Sequence, residues 1–206
     1  MVSMTIYAEG GNKPEKGKKT KSLNILFGKG FKLFLERAGL GGHMPRVIAC
    51  GGRDEAYKDF CTAMNNDEQA FLLVDSEMPV TQDPSNANPW RIIKWNMPSS
   101  ATPGHFHLMV QCMEAWFLAD PDTLKHFFGN GFSERRLPPS TNIETIAKEK
   151  IYDGLEKATG KTQKGKYSKG RHSFEILGKI DPQKVIGASP WARRFITGLK
   201  REMGVP

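Results

Sequence analysis

Residues Ala70-Phe71-Leu72-Leu73-Val74 form an unbroken apolar run that ends abruptly in Asp75-Ser76-Glu77. A run this short, with no polar residue at alternate positions, predicts a central strand covered on both faces, which is the pattern of a parallel sheet. The same punctuation occurs at the start of the chain, where Met4-Thr5-Ile6-Tyr7-Ala8 leads into Glu9-Gly10. Carboxylates just past the ends of parallel strands fall in the crevice at the carboxyl edge of the sheet, where α/β folds build their sites. Three like charges brought together there oppose joint ionisation unless a divalent cation or a shared proton relieves them. A magnesium site formed by Glu9, Asp75 and Glu77 follows as an expectation.

The intervening segments alternate in period. Phe31, Phe34, Leu35 and Ala38 recur at helical spacing and Gly39 ends the stripe. Arg46-Val47-Ile48-Ala49-Cys50 predicts a second strand, closed by Gly51-Gly52, and Ala56, Tyr57, Phe60, Ala63 and Met64 predict a second helix. A fourth strand is expected over His107-Leu108-Met109-Val110-Gln111, followed by a short helical stretch over 112–119. Strands alternating with helices predict a mostly parallel sheet with right-handed crossovers. Between them, residues 78–105 contain five prolines and predict a long loop, a lid candidate with an amphipathic patch around Trp90 and Trp95. Short helices are expected over 121–128, 144–158, 172–179 and 190–202, with Asp181-Pro182 and Ser189-Pro190 as start signals.

At 206 residues the chain can bury an ordinary core without a metal or disulfide. Its three cysteines, Cys50, Cys61 and Cys112, are odd in number, lack paired ligand spacing and read as buried thiols in a reducing compartment. The opening residues carry no basic leader and no stretch approaches the length of a membrane span, so the expected location is cytoplasmic and no membrane is expected as a partner. The net charge of +8 is uneven: residues 1–120 hold 13 basic and 13 acidic side chains, and residues 121–206 hold 17 and 9. The expected organisation is therefore a metal-binding core over 1–120 and a basic helical C-terminal extension over 121–206, packed as one unit.

Within that extension Lys161, Lys164, Lys166, Lys169 and Arg171 share a stretch without an acidic residue, interleaved with Gly160, Gly165 and Gly170. Such a loop is an electrostatic match for a phosphate backbone, and its plainer reading is a solvated surface. Lys169 is placed to offset charge in a transition state. Arg53, after the Gly51-Gly52 turn, is a further phosphate contact or a partner for a sheet carboxylate. Glu114 reads either as a second metal ligand or general base or as a helix-surface residue, and Asp120 as a helix cap. His105, His107 and His172 read as local hydrogen-bonding groups.

Tyr7-Ala8-Glu9-Gly10 with Leu73-Val74-Asp75-Ser76-Glu77 resembles the Toprim pattern, in which a Glu ends the first strand and an acidic-x-acidic pair ends a later one. The wider text, including Val110 to Asp120 and Lys169-Gly170-Arg171-His172-Ser173-Phe174-Glu175, resembles the bacterial family numbered 4276 among domains of unknown function, itself similar to the Toprim modules of OLD-type nucleases and phage-defence systems. Glu77 stands where Toprim proteins more often carry Asp. The resemblance implies a Toprim-like, Rossmann-like α/β fold, Mg²⁺ with Mn²⁺ as a substitute, hydrolysis of phosphodiester bonds in DNA or RNA, and an ABC or OLD-type ATPase as partner. A homo-oligomer is compatible with the chain, whose sequence does not encode its oligomeric state. Two rivals come from other classes. Leu73 to Pro79 is similar to the phosphoacceptor segment of receiver domains, but the first strand lacks a second acid and the fourth ends in Gln111. A non-catalytic nucleic-acid-binding protein would use the charge surplus and the four tryptophans, yet gives no reason for clustered carboxylates.

Overall fold

The computed structural model describes residues 4–12, 21–138 and 141–206, and the elements run β1 (Thr5–Ala8), α1 (Lys21–Leu35), β2 (Arg46–Ala49), α2 (Arg53–Asn65), β3 (Ala70–Asp75), α3 (Pro89–Ile93), β4 (Phe106–Met109), α4 (Pro121–Phe128), α5 (Lys148–Thr159), α6 (Ser173–Leu177), α7 (Pro182–Ala188) and α8 (Pro190–Glu202). The four strands form an all-parallel sheet in the order β2-β1-β3-β4. Alternate strand residues face opposite layers, as the two-residue period requires. Ile6, Ala8, Phe71, Leu73 and Met109 share one buried cluster with Phe27, Phe31 and Phe34 of α1 and Phe195 of α8. Leu72, Val74, Phe106 and Leu108 share the other with Phe60 of α2 and Trp90 of α3. All six residues of β3 are buried, so its lack of alternation reflects a strand covered on both faces.

Residues beyond 120 contribute Leu155, Phe174, Ile176, Leu177 and Leu199 to the same cluster as α1. Fully burying side chains of this size contributes about 1.5–3 kcal/mol each. The proline-rich segment 78–105 is more ordered than its composition suggests. Asn88 caps α3 by accepting from the Trp90 N–H at 3.0 Å, Pro89 occupies the first helical position, and Trp90 is 2% exposed. Trp116 and Trp191 are also buried, which makes three of the four indoles core residues rather than stacking surfaces. The helix expected at 144 begins at Lys148, because Ile143–Thr145 forms a separate 3₁₀ turn. The helical stretch 113–119 is likewise 3₁₀, and the helix expected over 172–179 covers only Ser173–Leu177. Cys50 and Cys112 are buried free thiols and Cys61 is half-buried.

Among the described residues no helix is long and apolar enough to cross a membrane.

Candidate metal centre

The strand order reverses direction at β1, which pairs with β2 on one side and β3 on the other. The crevice outside the carboxyl ends of two such strands is where α/β sheets bind ligands. Glu9 leaves the end of β1 and Asp75 closes β3, so both fall there. One carboxylate oxygen each from Glu9, Asp75 and Glu77 lies within 4.8 Å of the other two. Glu9 Oε2 accepts from the backbone N–H of Asp75 at 3.0 Å, and Asp75 Oδ1 accepts from the N–H of Met113 at 2.9 Å. The backbone thereby orients both carboxylates without neutralising either. Gly10 is required beside Glu9: its φ is +124°, and a Cβ there would sit 2.8 Å from the Phe27 ring.

Glu77 reaches the cluster by a route that strand alternation does not predict. β3 ends at Asp75, and Glu77 has a φ of +63°, held by its N–H donating to the Gln111 carbonyl at 2.9 Å. Its carboxylate pairs with Lys148 Nζ at 2.5 and 2.6 Å. No nearby basic residue in the sequence points to this partner, which arrives from α5. Lys169 Nζ stands 3.9 Å from Asp75 Oδ2, with its side chain 53% exposed. The side-chain Oε1 of Gln111 accepts from the Lys148 N–H at 3.2 Å, so one residue positions the loop of Glu77 through its main chain and the start of α5 through its side chain.

Burial, then the neighbouring Glu9 and Glu114 carboxylates, holds the Asp75 carboxyl well above the ordinary value of 3.8. Burial likewise raises Glu9, against the hydrogen bond it accepts from Asp75 and with help from Glu77. For Lys169, burial opposes the charge, but Glu114 and Asp75 outweigh it and raise its pKa. Lys148 is raised in the same sense, burial being outweighed by its bond to Glu77 and by Asp75.

Glu114 does not join the three. It is fully buried behind them, and its oxygens accept from the hydroxyls of Tyr152 at 2.9 Å and Tyr167 at 3.0 Å. Lys169 lies 5.9 Å over the Tyr152 ring, which ties the exposed lysine to this buried carboxylate through one aromatic side chain.

The cleft in front of the carboxylates has a volume of about 260 Å³, with Lys169, Gly170 and Asn12 on its walls. Of the other basic candidates, Lys164 packs 4.7 Å over Phe127 and Arg53 lies 5.1 Å over Trp95, away from the cleft wall. Lys166 and Arg171 are exposed. Asp120 is a cap: it accepts from Thr123 N–H at 3.4 Å, Asp181 N–H at 2.9 Å and Lys184 Nζ at 2.7 Å. His172 accepts the Ser168 N–H at 3.2 Å, and His105 completes a capping box with Thr102. Both are structural, as their isolation in the sequence suggests.

The donor set consists of three hard carboxylate oxygens, the ligand type that suits Mg²⁺ and Mn²⁺ rather than softer thiophilic ions. Fold and site therefore define an α/β protein with a four-stranded parallel sheet and an acidic cluster that could hold a metal ion at its carboxyl edge. The chain belongs to the family described as "Domain of unknown function (DUF4276)", whose model matches residues 20–200. That match begins after Glu9. No curated protein and no solved structure matches the chain.

Proposed function

We propose that this protein is a Mg²⁺-dependent phosphodiester hydrolase acting on DNA or RNA, with a Toprim-like site. The observation that carries the reading is the convergence of Glu9, Asp75 and Glu77 within 4.8 Å, with Asp75 only 2% exposed. Two lysines stand against these three carboxylates and the nearby Glu114, which leaves a net negative centre suited to a divalent ion. When bound, Mg²⁺ supplies Lewis-acid charge for the scissile phosphate and for the attacking water. Glu9 and Asp75 are pre-oriented by backbone N–H groups, which spares the cost of ordering them. Lys169 is held near the centre without a close ion pair, so its ammonium is available to a phosphate oxygen. On the resemblance to OLD-type modules, an ABC-type ATPase would be the regulating partner in a phage-defence system; a cleavage rate unchanged by adding a purified OLD-type ATPase would count against that partner.

The test is cleavage of end-labelled single-stranded DNA, duplex DNA and RNA with Mg²⁺, Mn²⁺ or EDTA, comparing the parent with Glu9→Gln and Asp75→Asn. Cleavage that needs the metal and disappears in both variants supports the reading. Cleavage equal to the parent's in either variant, or no metal-dependent cleavage of any substrate, overturns it. Nucleic-acid binding indifferent to Mg²⁺ and to both substitutions would instead identify a non-catalytic binding protein.

A further inference from the structure

A second cavity, of about 660 Å³, lies along α8 at the open edge of β4, and it shares no lining residue with the carboxylate cleft. Its volume falls in the range typical of small-molecule sites. One wall is a stripe of α8 carrying Arg193, Arg194, Thr197, Gly198 and Arg201, and the opposite wall is the loop that begins at Asp83. Arg201 pairs with Glu202 at 2.9 Å. Arg193 and Arg194 have no carboxylate partner among the described residues; Arg193 donates to the backbone carbonyl of Ile186 at 3.1 Å, and Arg194, which lies over the Trp191 ring, to those of Phe106 at 2.7 Å and Pro103 at 2.5 Å. Carbonyls orient a guanidinium but leave its charge uncompensated. With Arg201 paired to Glu202, two guanidiniums, those of Arg193 and Arg194, face one exposed carboxylate, Asp83.

His107 supplies the independent observation. It is 1% exposed, packed between the rings of Phe71 at 4.6 Å and Phe195 at 5.3 Å, and it lines the same cavity. Its Nδ1 lies 3.1 Å from Arg194 Nη1, and a guanidinium only donates. The imidazole hydrogen therefore sits on Nε2, which is buried with no hydrogen-bond partner. Burial and then Arg194 keep the ring neutral; the Gly104 backbone carbonyl acts weakly in the opposite sense but makes no hydrogen bond of acceptable geometry with Nε2. Buried donors are nearly always satisfied, so a lone N–H on the floor of a cationic cavity is a donor awaiting an acceptor. Gly198 keeps the approach open, since a Cβ there would stand 3.2 Å from His107 Cε1 and 3.6 Å from Nε2.

The geometry points to a site for a terminal phosphate monoester, held by Arg193 and Arg194 with His107 Nε2–H as a buried donor. The charge surplus of the wall suits one phosphate group better than a long polyanion. Two sources carry this chemistry: a free mononucleotide and the phosphorylated end of a nucleic-acid strand. The site stands apart from the carboxylate centre and does not depend on the hydrolase reading.

The experiment is calorimetric titration of the full chain in EDTA with 5′-AMP, with a 5′-phosphorylated DNA decamer and with the same decamer bearing a 5′-hydroxyl. Saturable 1:1 binding of a phosphorylated probe is expected, weakened about tenfold or more by Gly198→Ala and by Arg193→Gln, and retained in Glu9→Gln. The tighter of the two phosphorylated probes identifies the source. Alanine favours helix over glycine, so Gly198→Ala should fold, and circular dichroism checks both variants. No saturable binding, equal binding of the 5′-hydroxyl decamer, binding that survives both α8 substitutions, or binding lost in Glu9→Gln overturns the assignment.

Discussion

The backbone N–H of Asp75 donates to the side chain of Glu9 across 3.0 Å, so the end of β3 holds the carboxylate that leaves the end of β1. The bond fixes one acid against another acid's main chain, which brings their charges together instead of separating them. Such a centre favours protons when no cation is present.

The pH dependence of stability follows from this. Asp75 and Glu9 have folded-state pKa values raised above 3.8 and 4.5, so the folded chain holds their protons more tightly than the unfolded chain does. Stability from these groups is complete below the unfolded values and is lost as pH rises through the folded ones. Asp75→Asn keeps an acceptor for the Met113 N–H and cannot ionise. In EDTA its melting temperature should gain on the parent's as pH rises from 4 to 8, and a gap that stays constant or narrows would contradict the raised Asp75. Mg²⁺ competes with those protons, so its stabilisation of the parent should grow over the same range.

Lys148 tests the competition between an ammonium and a metal for one carboxylate. With its Nζ 2.6 Å from Glu77 Oε2, a metal must share or displace it. Lys148→Met keeps the aliphatic stem and the backbone bond to Gln111 while removing the charge. Calorimetry with Mn²⁺ should show tighter binding to this variant than to the parent. Equal or weaker binding would mean that Glu77 does not contribute to the metal position.

The Tyr152–Glu114–Tyr167 arrangement is structural in its first consequence. Glu114 is fully buried, and Tyr167 supplies one of its two hydroxyl donors from a site 4% exposed. Tyr167→Phe leaves a buried carboxylate oxygen unpaired and should cost about 1–3 kcal/mol, read as a lower midpoint of urea denaturation. Tyr152→Phe should cost less, because Tyr152 is only half-buried. An unshifted midpoint for Tyr167→Phe would show that the hydroxyl is replaceable by water.

What the sequence discloses of this site is its short-range part. Glu9, Asp75 and the order of strands and helices are legible because strand ends and apolar runs are local patterns. Lys148, Tyr152 and Tyr167 carry no such signal, since they reach Glu77 and Glu114 from 71, 38 and 53 residues away and nothing in local spacing encodes those meetings. Glu77 is legible only as an acid near a strand end; β3 stops at Asp75, so the two-residue alternation of a strand does not carry Glu77 to the cluster, and a positive φ turns it there. The segment 78–105 hides a helix because its prolines break the periodic signal, although Asn88-Pro89 is itself a start signal that could have revealed it.

The basic loop separates phosphate contact from packing within a few residues. Lys166 and Arg171 are exposed and have no ion pair among the described residues, whereas Lys164 covers the Phe127 ring. A cation that neutralises a backbone phosphate releases about one counterion, which sets the slope of affinity against salt. Lys166→Ala and Arg171→Ala should each reduce that slope by about one in a fluorescence anisotropy titration with a DNA or RNA oligomer. Lys164→Ala should instead lower thermal stability, because it uncovers an aromatic face. If both exposed substitutions leave the slope unchanged, the loop is a solvated surface and the strand must approach the carboxylates from another side.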